Sequence, residues 1–223
     1  MTRTLPFLVV TLFVAATVPS SAELRNIFVP VRTVGLGPIA EPDDYVVVAT
    51  GGAQQYDART FLRKEGARSL ADAMAGENLH LGGELHEAVA EALLEAGLEV
   101  VPSDAKDARI KLAVAIMPNT VAYSDQTLGD DLMPGFTVRL FVTDARTGRF
   151  LKTDSILYGQ TTARGVRTVY PDARYRFSSV DALLADPKSA AEGFRAGITA
   201  IAKEIAKGMG GGTLTTASAP RGR

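Results

Sequence analysis

The stretch FTVRLFVTDARTGRFLKTDSILYGQ, residues 136–160, decides the fold of this 223-residue chain. Its first half alternates apolar and polar side chains, which is the period-2 pattern of a strand with one buried face. Asp144 and Gly148 then bound a polar segment that favours a type I turn closed by a left-handed glycine. The second half returns through a further apolar run. The stretch therefore predicts a β-hairpin, and because an isolated hairpin is only marginally stable, the rest of the chain must cover its apolar face.

Three further segments carry strand signals. Residues 45–50 are a continuous apolar run rich in β-branched side chains, which suits a strand buried on both faces. Residues 110–116 alternate as the hairpin does, and residues 98–101 form a short strand that Pro102 ends. Residues 124–135 between these strands and the hairpin are predicted to be a loop.

Two long helices are predicted. Residues 84–96 place leucine, valine and alanine on one face and glutamate on the other, and Gly97 follows as the C-terminal cap. The second helix begins with Asp186 as N-cap and Pro187 at the first helical position, carries one apolar stripe, and ends at Gly208. A short helix near residues 69–75 is also predicted. The element order predicts an α+β fold: a mixed or mainly antiparallel sheet of about four to five strands, with two main helices packed on one face.

The N-terminus reads as an export signal. Arg3 supplies a positive charge, residues 5–18 supply a short apolar run, and Ser20 and Ala22 place small residues before a cleavage site. We expect a signal peptide over residues 1–22, cleaved near Ala22, and a periplasmic protein; an uncleaved N-terminal anchor is the alternative. Beyond it the sequence predicts a proline-containing extended lead-in (23–44), a single α/β domain (45–207) and a disordered glycine-rich tail (208–223).

Composition excludes several classes of function. A net charge of −1 gives no general attraction to nucleic acid. The chain has no cysteine, which excludes disulfides, thiolate nucleophiles, cysteine-bound zinc and a lipid-modified N-terminal cysteine. No second apolar run is long enough to span a bilayer, so no transmembrane span is expected in the mature chain.

The order of the elements, together with the hairpin turn Asp144-Ala145-Arg146-Thr147-Gly148, resembles small α/β domains of bacterial envelope proteins. These include the N-terminal domain of TolB translocation proteins, the curli-secretion lipoprotein family, and lipopolysaccharide-assembly or transport-auxiliary lipoproteins. The resemblance covers residues 45–206 with insertions, and it implies an envelope protein. Many of those proteins carry a lipidated cysteine that this chain lacks, so tethering by lipid does not carry over, and neither does any functional residue.

Few residues carry a chemical signal. His80 and Glu84 have the spacing of a helical metal pair, but Gly82 and Gly83 lie between them and no third ligand is evident. The glycine clusters lack the lysine of a P-loop and the full dinucleotide-binding pattern. No cofactor, metal site or catalytic residue is therefore predicted.

One segment is a candidate binding site for an anion or a partner. It interleaves guanidinium groups, which bind carboxylate or phosphate in bidentate fashion, with aromatic rings. Its residues are Arg164, Arg167, Tyr170, Arg174, Tyr175 and Arg176. The competing interpretation is a solvated arm packed on the sheet by its tyrosines.

The sequence thus predicts a non-enzymatic periplasmic binding or adaptor protein whose partner is an envelope protein or an anionic glycolipid. Two alternatives stay open. One is a carrier that holds a lipid or an anionic glycan between sheet and helices. The other is a hydrolase that uses carboxylates alone, such as Asp125 and Asp130.

Overall fold

The computed structural model describes residues 32–42, 45–48, 70–118, 120–124, 131–159 and 166–210. The predicted signal peptide and nearly all of the predicted tail lie outside these ranges, as do Arg164, Asp125 and Asp130. In the described part of the chain the strands are β1 (Thr33–Leu36), β2 (Val46–Val48), β3 (Glu99–Pro102), β4 (Ile110–Ile116), β5 (Ala122–Ser124), β6 (Met133–Asp144), β7 (Phe150–Tyr158) and β8 (Arg167–Val169). The helices are α1 (Leu70–Gly76), α2 (Leu81–Glu95), α3 (Val180–Ala185) and α4 (Pro187–Gly210), and a 3₁₀ turn spans Ala173–Tyr175.

The sheet is built around β6, the first strand of the predicted hairpin. On one side β6 pairs antiparallel with β4 and, nearer its start, with β5; on the other side it pairs antiparallel with β7. The remaining pairs are parallel: β1 lies between β4 and β3, β2 lies beside β5, and β8 lies beside β7. The α+β class and the mixed sheet are therefore confirmed, but among the described residues the sheet has eight strands rather than four or five.

The predicted lead-in contains β1, which belongs to the sheet. Val34 pairs with Ile110 on one side and Val100 on the other, and its side chain is fully buried. A four-residue strand between prolines and glycines is too short to show a period, so no strand could be predicted there. The sheet starts earlier in the chain than residue 45, and β6 likewise starts at Met133, inside the predicted loop.

The segment between β1 and β2 caps the N-terminus of α2. β1 pairs with β4 and β2 pairs with β5 at the same sequence offset, and the described residues 37–42 between β1 and β2 lie outside the strands. In this segment the carboxylate of Glu41 accepts hydrogen bonds from the backbone N–H groups of Gly82 (3.0 Å) and Gly83 (2.9 Å). These are N-terminal donors of α2 that have no partner within the helix, so Glu41 satisfies them and complements the positive end of the helix dipole.

Both long helices cover one face of the sheet. The inward residues of β6 are buried, and they are Phe136, Val138, Leu140 and Val142. α4 packs on β6 and β7, and α2 packs on α4 and β3. The opposite face of the sheet carries the exposed residues Arg139 and Phe141. The two main helices thus lie on one face as predicted, with α1 and α3 as shorter additions. No helix in the described ranges is long and apolar enough to cross a membrane.

Helix and turn boundaries follow the capping chemistry of the sequence. The Asp186 carboxylate accepts from the Ser189 backbone N–H at 3.1 Å, and this bond lowers the pKa of Asp186. Gly97 (φ +79°) follows α2, and Gly148 (φ +68°) closes the hairpin turn; both lie in the left-handed region that glycine favours. The predicted short helix is α1. The second predicted helix runs two residues past Gly208, to Gly210.

Candidate functional site

An open groove of about 510 Å³ lies between the outer face of α4 and the 3₁₀ turn. α4 buries one stripe, which includes Phe194, Ile198 and Ile201, against the sheet. A helix that buries one stripe presents the opposite one to solvent. That outer stripe forms one wall of the groove through Glu192, Arg195, Thr199 and Lys203, among others.

The 3₁₀ turn forms the other wall. The Asp172 carboxylate caps it by accepting from the Arg174 backbone N–H at 3.0 Å. Tyr175 is buried beside Gly193 of α4, where a β-carbon would lie 3.3 Å from the Tyr175 β-carbon. The Arg174 guanidinium carbon lies 4.7 Å from the centroid of the Tyr175 ring, which is cation–π distance. The buried ring thus holds an exposed cation at the mouth of the groove.

The cations that line the groove differ in the salt bridges and hydrogen bonds that they form with other residues of the domain. Arg195 binds Glu84 at 3.0 Å and also donates to the Glu77 carbonyl at 3.1 Å, so it ties α4 to the start of α2. Arg174 has 69% of its side chain exposed and only a long contact of 3.5 Å to Asp172. Lys203 is exposed and has no salt bridge to any residue in the described ranges. Arg174 and Lys203 are therefore the groups available to an incoming anion.

The structure brings together two residues of the predicted segment, Arg174 and Tyr175. Arg176 points elsewhere and binds Asp131 at 3.3 Å, and Tyr170 stands in solvent with 62% of its surface exposed. Sequence reasoning missed Lys203, because it considered only the apolar stripe of α4. The polar stripe of the same helix, with its three- and four-residue spacing, is the signal that would have found it.

Arg167 holds the edge strand β8 in place. Its guanidinium pairs with the carboxylate of Asp154 on β7, donates to the Glu204 carbonyl of α4 at 3.0 Å, and lies 3.4 Å from the Glu204 carboxylate. Burial alone would raise the pKa of Asp154, but the charge of Arg167 and its hydrogen bond outweigh burial and hold that pKa below its usual value. The three groups join β7, β8 and α4.

Replacing Asp154 with asparagine is expected to make the protein less stable by about 1 kcal/mol at neutral pH, a figure reduced because solvent screens this partly exposed pair. Because the folded-state pKa of Asp154 is depressed, its stabilisation is complete above the unfolded-state value of about 4 and is lost as pH falls through the folded-state pKa. The difference between wild type and D154N in urea unfolding should therefore shrink below about pH 4.

The control for this prediction is Asp107→Asn. Asp107 is exposed in a turn and forms no salt bridge with a residue in the described part of the chain. A D154N difference that stays constant from neutral to acidic pH, or one no larger than that of D107N, would contradict the assigned role.

Side chains that could bind a metal or react make structural contacts instead. Glu84, which has the spacing of a helical metal pair with His80, binds Arg195. The described residues include no cluster of three or more potential ligands that could hold a metal ion. The buried Tyr123 hydroxyl donates to the Ala190 carbonyl at 2.9 Å, and burial raises the pKa of Tyr123 far above its ordinary value. Burial also raises the pKa of Tyr45 to about 12.

No protein-family model and no curated protein matches this chain. Solved structures to which this chain is similar include a DUF330 protein from Xanthomonas campestris (13% identity, TM-score 0.42), aligned over 78% of this chain and 81% of that one. A hypothetical protein from Chlamydia trachomatis (15% identity, TM-score 0.42) aligns over 82% of this chain and 99% of its own. A minor lipoprotein from Acinetobacter baumannii (12% identity, TM-score 0.39) aligns over 57% and 84%. Lipoproteins stand among these structural neighbours.

Proposed function

We propose that this protein is a non-enzymatic binding or adaptor protein of the bacterial periplasm that engages a negatively charged group of another envelope component through the groove beside α4. The observation that carries this proposal is the pair of exposed cations at the groove: Lys203, which has no salt bridge to a described residue, and Arg174, whose contact with Asp172 is long. The partner is an acidic protein surface, with the head group of an anionic glycolipid as the second candidate.

The chemistry of the groove suits a carboxylate or a phosphate. Arg174 presents a planar fork of donors that matches both anions, and its position over the Tyr175 ring reduces the freedom it would lose on binding. Lys203 adds a second positive charge from the opposite wall. Glu192 also lines the groove, and its carboxylate weakens the attraction of the groove for an anion.

The interior gives less support to a carrier that would hold a lipid between sheet and helices. A β-carbon at Gly197 of α4 would lie 2.5 Å from the Tyr158 ring and 2.7 Å from the Phe136 ring. A β-carbon at Gly193 would collide with the Tyr123 hydroxyl. Helix and sheet are therefore in direct contact along this part of α4, and the volume that a carrier needs is filled by side chains.

The proposal can be tested by affinity capture from a detergent-solubilised envelope fraction, with proteins and lipids identified by mass spectrometry. Wild type is compared with the double variant Arg174→Glu, Lys203→Glu. The matched control reverses two exposed cations in turns, Lys106→Glu and Arg146→Glu, which changes the net charge equally. Arg167 is left unchanged in both, because its loss would free β8.

We expect the groove variant to lose the partner by about tenfold or more, since reversing two cations costs more than about 1.4 kcal/mol of binding free energy. The control should keep it. One enriched protein would identify an adaptor, and a co-purified glycolipid would identify the second candidate. A partner that both variants capture as well as wild type would overturn the groove as the binding site.

A further inference from the structure

The face of the sheet that the helices leave open is positively charged and carries exposed aromatic rings. We define the open face by three rows of paired residues on β4, β6 and β7, with their outward side chains. The rows are Lys111–Thr143–Phe150, Ala113–Phe141–Thr153 and Ala115–Arg139–Ser155. Phe150 is 55% exposed and Phe141 37% exposed. Lys111 and Arg139 are exposed without a salt bridge to any described residue, and the rows contain no carboxylate.

The outer face of α2, on the opposite side of the domain, has the complementary composition. Its acidic face consists of Glu87, Glu91, Leu94 and Glu95, which the three- and four-residue spacing places on one side of the helix. All four are exposed, and Leu94 shows 57% of its surface to solvent. The three glutamates form no salt bridge within the described ranges, unlike Glu84 at the start of the same helix.

We propose that the open face of one copy of this chain docks the acidic face of α2 of a second copy. Glutamates would meet Lys111 and Arg139, and Leu94 would meet the Phe141 and Phe150 rings. A charged rim around apolar contacts is the usual composition of a protein interface. An acidic helix from a second copy fits better than a lipid surface, because it matches the face both in charge and in the spacing of its charges.

The spacing of the charges agrees between the two faces. The row of Lys111 and the row of Arg139 are four residues of β6 apart, which is about 14 Å along a strand. Glu87 and Glu95 are eight residues apart on α2, which is about 12 Å along a helix. One helix laid along the strands can thus place a carboxylate near each cation. With Glu95 at the row of Lys111, Leu94 lies between that row and the Phe141 row, nearer to Phe150.

This contact joins two different surfaces and is therefore heterologous. The acidic face and the open face lie on opposite sides of the same domain, so each copy offers one surface of each kind. Successive copies would add in the same sense, and such a contact produces a closed ring or an open filament rather than a two-fold dimer.

The test measures the mass of the purified full chain by sedimentation velocity over a concentration series at low and high salt. Two variants remove the contact from either side: Lys111→Glu with Arg139→Glu, and Glu87→Lys with Glu91→Lys and Glu95→Lys. All five positions are exposed, and circular dichroism verifies that each variant is folded. If a reversal fails to fold, a neutral set on the same face replaces it: Lys111→Gln with Arg139→Gln, or Glu87→Gln with Glu91→Gln and Glu95→Gln.

We expect wild type to form species larger than a monomer that dissociate as salt rises, and each reversal to weaken association by about tenfold or more. An equimolar mixture of the two reversals should associate again, because each interface in the mixture pairs opposite charges. A wild type that stays monomeric, an assembly unaffected by either reversal, or a mixture that stays monomeric would overturn the proposal. So would a monomer that binds phosphatidylglycerol vesicles through Lys111 and Arg139, which would assign the open face to a membrane.

Discussion

Replacing Gly197 with alanine is expected to destabilise the protein by about 2 kcal/mol, although alanine is the better helix former by about 1 kcal/mol. Gly197 is buried in the middle of α4, where the helix crosses β6 and β7. The added β-carbon would lie 2.5 Å from one atom of the Tyr158 ring and 2.7 Å from the Phe136 ring. Both rings are almost fully buried and cannot move away. The helix must shift outward, and each contact along it is then weakened.

The control for Gly197 lies in the same helix. A β-carbon at Gly208 would lie 3.5 Å from the Arg167 guanidinium, which is an ordinary contact. Gly208→Ala should therefore be neutral or stabilise the protein through helix propensity alone. Urea unfolding of both variants measures the difference. Equal stability of G197A and wild type would show that α4 does not lie as close to the sheet as described here.

The elements that could be predicted from the sequence are mainly those long enough to show a periodic pattern of apolar residues. The hairpin of β6 and β7, the strand β4 and both long helices follow from apolar spacing, and their ends follow from Asp186, Gly97 and Gly148. β2 lies within the apolar run of residues 45–50 that was predicted as a strand. β5 and β8 have three residues each and β1 has four, so no period could be read from these three strands alone. Their positions depend on pairing with distant strands, which a single sequence does not specify.

The candidate site was predicted in part, for a related reason. Guanidinium and phenol groups close together in sequence marked the segment around Arg174 as a candidate binding site, and the structure places Arg174 and Tyr175 of that segment beside α4. Whether each cation is free to bind a ligand depends on carboxylates elsewhere in the chain. Arg167 forms ion pairs with Asp154 and Glu204, and Arg176 forms an ion pair with Asp131. Lys203 joins the groove only because α4 passes beside the 3₁₀ turn. These contacts join residues that are distant in sequence, so no local sequence pattern indicates them.

Replacing Phe194 with alanine is expected to reduce the free energy of unfolding by about 3–5 kcal/mol, the range for truncating a buried phenylalanine. Its fully buried ring meets Tyr123 at 5.2 Å, Tyr45 at 5.8 Å and Phe136 at 6.4 Å between ring centroids. The first two contacts are edge-to-face, the favourable geometry for aromatic pairs. The control is Tyr170→Ala, which truncates an exposed ring and should cost less than about 0.5 kcal/mol.

The Phe194 variant also tests whether Phe194 stabilises mainly β2 and β5 or the whole domain. Tyr45 precedes β2 and Tyr123 lies in β5. Through its contacts with both rings, Phe194 packs α4 against this pair of strands. In a folded F194A protein the Tyr45 ring loses cover, and its pKa should fall from about 12 toward the ordinary value, which a spectrophotometric titration detects. Amide exchange should accelerate in β2 and β5 more than in β4, since β4 is held from both sides by β1 and β6. Uniform acceleration, or an unchanged Tyr45 titration, would mean that Phe194 stabilises the domain as a whole rather than this part of it.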